Sequence, residues 1–225
     1  MLTKIKKLHE FLFFFHALNP VLIIFAKKSV DSLQTLRKHL KAGKVYRRAE
    51  LLPYTTAPDR HLAALVTEGA LTKVSQGVYY VPRATDFGIP PPDDKTLVKT
   101  FLKDNRFLIL SPNMYNMLGV GTTQLYNDRV VYNHKRHGVF ELGGLKFRFH
   151  RKQDFPSVLT KEFLLVDLVS NLKTLAEDES ALLQNLKRKV AEMDAGKLGK
   201  VVEKYGSIKA RKFFAPLLNT PSANG

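Results

Sequence analysis

Two histidines at i and i+3, His134 and His137, enclose Lys135 and Arg136 in one short run. Imidazoles at that spacing bind metal when a helix carries them and a third ligand stands near. Here the flanking residues read as strands and no third ligand is close in sequence. A phosphate-binding or solvated basic loop is therefore expected. Three carboxylates, Asp154, Glu162 and Asp167, are the candidates considered for a nuclease centre. Glu162 and Asp167 lie five apart, a spacing that does not share a helix face, so both read as helix-surface charge. The 225 residues include no cysteine, which excludes a thiol nucleophile, a Cys-ligated metal and a disulfide scaffold. This fits a reducing compartment, and a cytoplasmic location is expected. The chain has no Gly-rich phosphate loop, no Gly-x-Ser-x-Gly elbow and no His-x-Glu…Cys signature. The expectation is a non-enzyme with no cofactor and no metal.

Binding chemistry is better represented. Lys and Arg total 36 against 20 Asp and Glu, for a formal charge of +16. Half of that excess, +8, falls in the first fifty residues. Such a surplus points to a polyanionic partner, nucleic acid first and an anionic membrane surface second. The leader bears on the second: Lys4, Lys6 and Lys7 precede an apolar run from Phe11 to Ala26, closed by Lys27 and Lys28, which resembles a signal-peptide core or a short membrane span. That run is 16 residues long and holds His16, Asn19 and Pro20, against the roughly 20 apolar residues that a membrane span needs. Residues 1–28 are read as an extension outside the fold, with membrane contact as the less favoured alternative.

The elements that would position the basic groups begin at residue 29. Leu33, Leu36 and Leu40 lie on one face of a helix over 31–42, ended by Gly43. Lys44-Val-Tyr46 leads to a small helix at 47–52, closed by Pro53. Thr56 is a candidate N-cap and Pro58 suits a first helical turn. Leu62, Leu65 and Val66 then give helical spacing up to Gly69. Two β-rich runs, 71–74 and 78–81, meet at Ser75-Gln-Gly77. Three helices and a hairpin within about fifty residues form the winged helix-turn-helix plan, whose third helix enters the major groove. Thr55, Thr56, Arg60, His61 and Ala64 are expected to face base edges, where Arg reads guanine and Thr or Ala touches a thymine methyl. Lys44, Arg47 and Arg48 are placed near backbone phosphates, and Lys73 and Gln76 on the wing. Phosphate contacts supply affinity rather than sequence reading.

In the second half, Pro90-Pro-Pro-Asp-Asp94 reads as a linker before a helix at 95–103. Strands are expected at 107–110, 130–132, 139–142 and 145–149. A helix running to Leu118 opens with Ser111-Pro112, and Gly143-Gly144 forms a hairpin turn. Leu145, Phe147 and Phe149 alternate with Lys146, Arg148 and His150, giving a buried and a basic face. Helices are expected at 161–176, 178–193, 197–205 and 207–218, the last carrying Lys209, Arg211 and Lys212. The fold class is thus α+β. A winged helix-turn-helix domain (29–89) precedes a mixed α/β domain (93–218) that ends in a helical bundle, and 219–225 form a disordered tail.

The run from Arg60 to Pro82, with its Glu-Gly-Ala-Leu turn and Gly-Val-Tyr strand, resembles the N-terminal half of AbiEi-like antitoxins of type IV toxin–antitoxin (abortive infection) systems. A second patch, Leu110-Ser-Pro-Asn-Met-Tyr-Asn-Met-Leu-Gly-Val-Gly-Thr-Thr-Gln124, is similar to the same family. It is followed in order by Val130-Val-Tyr-Asn133 and Leu145-Lys-Phe-Arg-Phe149. The resemblance spans about residues 30–218 and departs at the apolar leader and at Pro112-Asn113. It implies a transcriptional autoregulator that binds duplex DNA at its own promoter. It also implies that the second domain counteracts a nucleotidyltransferase-like toxin without a stable complex. Lys146, Arg148, Lys209, Arg211 and Lys212 are the surface expected to serve that role. The alternatives are a winged-helix protein-interaction or membrane-associated regulator without antitoxin activity, and a DNA-acting enzyme.

Overall fold

A computed structural model describes residues 31–122 and 125–219. Residues 1–30, which include the apolar extension and the first two residues of the expected 29–89 domain, the residues from 220 onward, and Thr123 and Gln124 of the second matching patch lie outside this description. The described chain is α+β with two separate sheets, and it divides into one unit ending at Phe101 and another beginning at Leu102.

In the first unit, residues 31–39 are helical (α1) and bury Leu36 completely. The chain leaves this helix after His39, sooner than the spacing of Leu33, Leu36 and Leu40 suggests. Gly43, at φ 79°, turns it into a strand, and its N–H donates to the Val81 carbonyl at 2.8 Å. That strand, β1 (Val45–Arg47), is too short to show a period-two pattern in sequence. It passes directly into α2 (Arg48–Leu51) and a 3-10 turn, Leu52–Tyr54, built around Pro53. Helix α3 spans Pro58–Thr67 with Pro58 in its first turn, where a missing N–H costs nothing. Its N-cap is Ala57 rather than Thr56. Strands β2 (Thr72–Ser75) and β3 (Val78–Tyr80) form the hairpin, with Gly77 at φ 68° in the turn. The sheet order is β1-β3-β2, all antiparallel.

Leu36, Tyr46, Leu51, Leu62, Leu65, Leu71 and Val81 pack into one core drawn from every layer of this unit. Each buried leucine contributes on the order of 1.5–3 kcal/mol. Helix α4 (Asp94–Leu102) runs to the boundary of the two units, and the Asp93 carboxylate accepts from the Thr96 N–H at 2.9 Å at its start.

The second unit holds β4 (Phe107–Leu110), β5 (Arg129–Asn133), β6 (Gly138–Leu142) and β7 (Leu145–Arg151), in the order β4-β5-β7-β6. Only β5 and β7 pair in parallel. Gly143 and Gly144 both take positive φ, as a two-residue type I′ turn requires. The segment after β4 is a 3-10 helix, Pro112–Leu118, in place of an α-helix. Ser111 caps it, and Gly119 ends it at φ 67°.

Four helices follow, each capped by a polar side chain: α5 (Lys161–Asn171) by Thr160, α6 (Glu179–Ala191) by Asp178, α7 (Ala195–Tyr205) by Asp194 and α8 (Ile208–Leu218) by Ser207. Helix α5 stops five residues before the expected 176 and continues as a 3-10 turn, Leu172–Thr174. It is buried from Phe163 to Val169 without a break, as a helix at the centre of a bundle must be.

Candidate nucleic-acid interface and a buried carboxylate centre

Helix α3 presents a row of exposed residues. Arg60, Ala63 and Thr67 stand on it at three- and then four-residue spacing, and exposed Thr56 precedes Arg60 by four. Ala63, which sequence reading passed over, takes the place expected of Ala64, which is half-buried. The i, i+4, i+7 spacing from Thr56 would have found it. Leu62 and Leu65 occupy the opposite, buried face.

His61 does not point outward. It is 3% exposed, and its Nδ1 shares a 2.6 Å hydrogen bond with the Thr55 hydroxyl. That hydroxyl also accepts from the Ala57 N–H at 3.2 Å. The two residues thus fasten the turn before α3 rather than face a ligand. Burial, followed by the charge of Arg60, lowers the His61 pKa, which favours the neutral ring.

The flanking cations differ in freedom. Arg48 is bound to Asp59 through Nε at 2.8 Å and Nη2 at 2.9 Å. Arg47 donates its N–H to Glu50 at 3.0 Å and pairs with it through Nη2 at 3.2 Å. Lys44, Lys73 and Gln76 are exposed.

In the second unit, Lys146 and Arg148 extend from the face of β7 opposite the wholly buried Phe147 and Phe149. Arg148 pairs with Asp128 at 2.9 Å, and Lys209 pairs with Glu179 at 2.7 Å. Arg211 donates to the Glu203 carbonyl at 2.7 Å, and Lys212 is exposed. The basic loop is ordered by Asn133, which is 1% exposed. Its side-chain Oδ1 accepts from the backbone N–H groups of Lys135 at 2.8 Å and Arg136 at 2.6 Å. His134 contacts the Lys152 carbonyl, while the His137 ring packs edge-on to His150.

Asp167 overturns its expected place on a helix surface. It is 2% exposed. Its two oxygens accept from Tyr115 and Tyr132, each at 2.7 Å, and Lys152 Nζ lies 3.5 Å away. The same ammonium sits 3.5 Å from the centre of the Tyr132 ring. Asn171 donates to the Tyr132 hydroxyl at 3.3 Å and to the Asp167 carbonyl at 2.9 Å. Burial, and then the Asp167 charge, raises the pKa of both tyrosines, so they remain hydroxyl donors. Burial lowers that of Lys152 against the pull of Asp167. The one sequence signal for this centre is a lone acid inside Phe163-Leu-Leu-Val-Asp-Leu-Val169.

A cavity of about 220 Å³ opens beside this centre, with Tyr115, Tyr132 and Asn171 in its lining and Asp128, Arg148 and Tyr126 among the other residues. Among the described residues no three His, Asp or Glu side chains are grouped to hold a metal, and no helix is long and apolar enough to cross a membrane.

No protein-family model and no curated protein matches the chain. Among solved structures, the crystal structure of the RV2827C protein from Mycobacterium tuberculosis is similar. Its TM-score is 0.54 at 14% identity, over 85% of this chain and 76% of that one. The likeness is one of fold.

Proposed function

We propose that the first unit is a winged helix-turn-helix that binds duplex DNA, with α3 in the major groove and the β2–β3 hairpin as the wing. The observation that carries this reading is the exposed row Thr56, Arg60, Ala63 and Thr67, backed by the buried Leu62 and Leu65. One long cation among small side chains suits base edges: a guanidinium spans guanine O6 and N7, and methyl groups meet thymine. Asp59 would repel phosphate if it stood alone, but Arg48 neutralises it. Lys44 and Lys73 then supply backbone contacts, which fix register and add salt-dependent affinity.

In this reading the protein is a transcriptional autoregulator and the antitoxin of a type IV toxin–antitoxin pair. The second unit counteracts a nucleotidyltransferase-like toxin without a lasting complex and performs no catalysis. Support for this part is the resemblance carried by residues 110–124, 130–133 and 145–149. Footprinting on the DNA upstream of its own gene tests the first part. Protected major-groove guanines within a short repeat are expected, and uniform or absent protection contradicts it. Co-expression of residues 102–225 with the toxin encoded beside the gene tests the second, with restored growth expected and continued arrest contradicting it.

A further inference from the structure

The cavity in the second unit serves no step of the DNA reading. At about 220 Å³ it is smaller than the roughly 300 Å³ at which pockets accept drug-sized molecules, so it suits one flat ring system. Leu110, Pro112, Val130 and Leu175 give it apolar walls. Its charged lining is a matched pair: the Arg148 guanidinium and the Asp128 carboxylate, 2.9 Å apart and each about half exposed. The pair has no net charge to offer. It offers a fork of donors directly beside two acceptors.

We propose that this cavity binds an unpaired guanine base. Guanine presents acceptors N7 and O6 along one edge, and the adjoining edge carries the N1–H and N2–H₂ donors. A guanidinium takes the first pair and a carboxylate the second, and Arg148 and Asp128, which line the cavity 2.9 Å apart, bring one of each to it. Adenine and cytosine offer a carboxylate only their exocyclic amine, and uracil a single ring N–H, so none fills both forks. Unpaired bases are commonly held in this way, stacked on aromatic rings and read along their exposed edges.

Tyr126 is fixed for that purpose. The Asn113 side chain accepts from the Tyr126 N–H at 2.7 Å and donates to its carbonyl at 2.8 Å, while the Ala176 N–H donates to the Tyr126 hydroxyl at 2.9 Å. A wall held at both ends loses little freedom when a ligand arrives. The half-buried His150 has its pKa lowered, first by burial and then by His137, Lys152 and Arg148, so it lines the site as a neutral ring. Lys146 lies two residues from Arg148 on the same face, about 7 Å along the strand, where a sugar-bound phosphate left outside the cavity would meet a cation.

The test is titration of the full chain with 5′-GMP, AMP, CMP, UMP and ribose 5-phosphate, followed by calorimetry. GMP is expected to bind at least tenfold more tightly than the rest. Asp128→Asn should cut that preference to under threefold with an unchanged melting curve. Amide chemical shifts of the unmodified chain, which need no variant, should move at Tyr126, Asp128 and Thr174. A GMP and a G-centred trinucleotide compared side by side identify the source, since tighter binding of either supports a guanine site in free or single-stranded form. Equal binding of ribose 5-phosphate, no saturation by GMP, shifts confined to the first unit, or an Asp128→Asn variant with full preference each overturns the proposal.

Discussion

Arg48 grips Asp59 with two hydrogen bonds, joining the start of α2 to the first turn of α3. The hydrogen bond to Arg48 lowers the Asp59 pKa, so the carboxylate stays charged and paired as pH falls into the ordinary carboxylate range. The pair lies beside the row proposed to meet DNA, and each member decides what the other presents.

Removing Arg48 should therefore harm binding through Asp59 more than through its own lost charge. Arg48→Met is expected to weaken affinity for the promoter about fivefold, the scale of repulsion between neighbouring exposed charges. The double variant Arg48→Met/Asp59→Asn should recover most of that loss. A double variant no better than Arg48→Met would show that Arg48 acts as a direct phosphate contact.

Arg60 and Lys73 should separate base reading from phosphate contact. Arg60→Ala is expected to cost on the order of 1–3 kcal/mol on the cognate duplex and less on random DNA. Lys73→Ala should weaken both duplexes alike. Competition binding with the two duplexes measures the difference, and equal losses for Arg60→Ala would place the recognition element elsewhere.

Much of the scaffold was legible because its signals are local. Pro58, Gly69, Gly77 and the Gly143-Gly144 pair mark boundaries through their own backbone preferences, and the alternation in 145–149 follows from strand pleating. Strand β1 was not legible, since three residues carry no period and its partner β3 lies more than thirty residues on. His61 was misplaced because a histidine on a helix reads as polar, while its burial depends on a hydrogen bond to Thr55. Asp167 was misread for the same reason: the two tyrosines that accept it into the core come from distant segments, at 115 and 132.

The Asp167 centre should be a major source of stability in the second unit. Tyr115→Phe removes one buried charge-assisted bond and is expected to cost about 1–3 kcal/mol. Asp167→Ala leaves two buried hydroxyls and an ammonium without their acceptor, and should cost more than about 3 kcal/mol. Urea unfolding checks both. A neutral Asp167→Ala would mean that the carboxylate contributes nothing to holding the helix and sheet together.

His61 should make the first unit sensitive to mild acid. Its folded pKa lies below the ordinary value of 6.5, so the unfolded chain takes up a proton first. Stability is then full above about pH 6.5 and falls as pH drops toward the folded pKa. Unfolding midpoints at pH 7.5 and 5.5 should differ, and His61→Gln should narrow the difference. An unchanged difference in that variant would assign the effect to another group.

The central claim is that the exposed face of α3 reads DNA sequence. Its most direct measurement is the affinity of the full chain for the DNA upstream of its own gene and for random duplex, each at 50 and 200 mM salt. Binding to both should fall steeply, by orders of magnitude if several phosphates are neutralised, while the upstream site stays preferred at each salt concentration. Equal affinity for the two duplexes, or binding indifferent to salt, would contradict it.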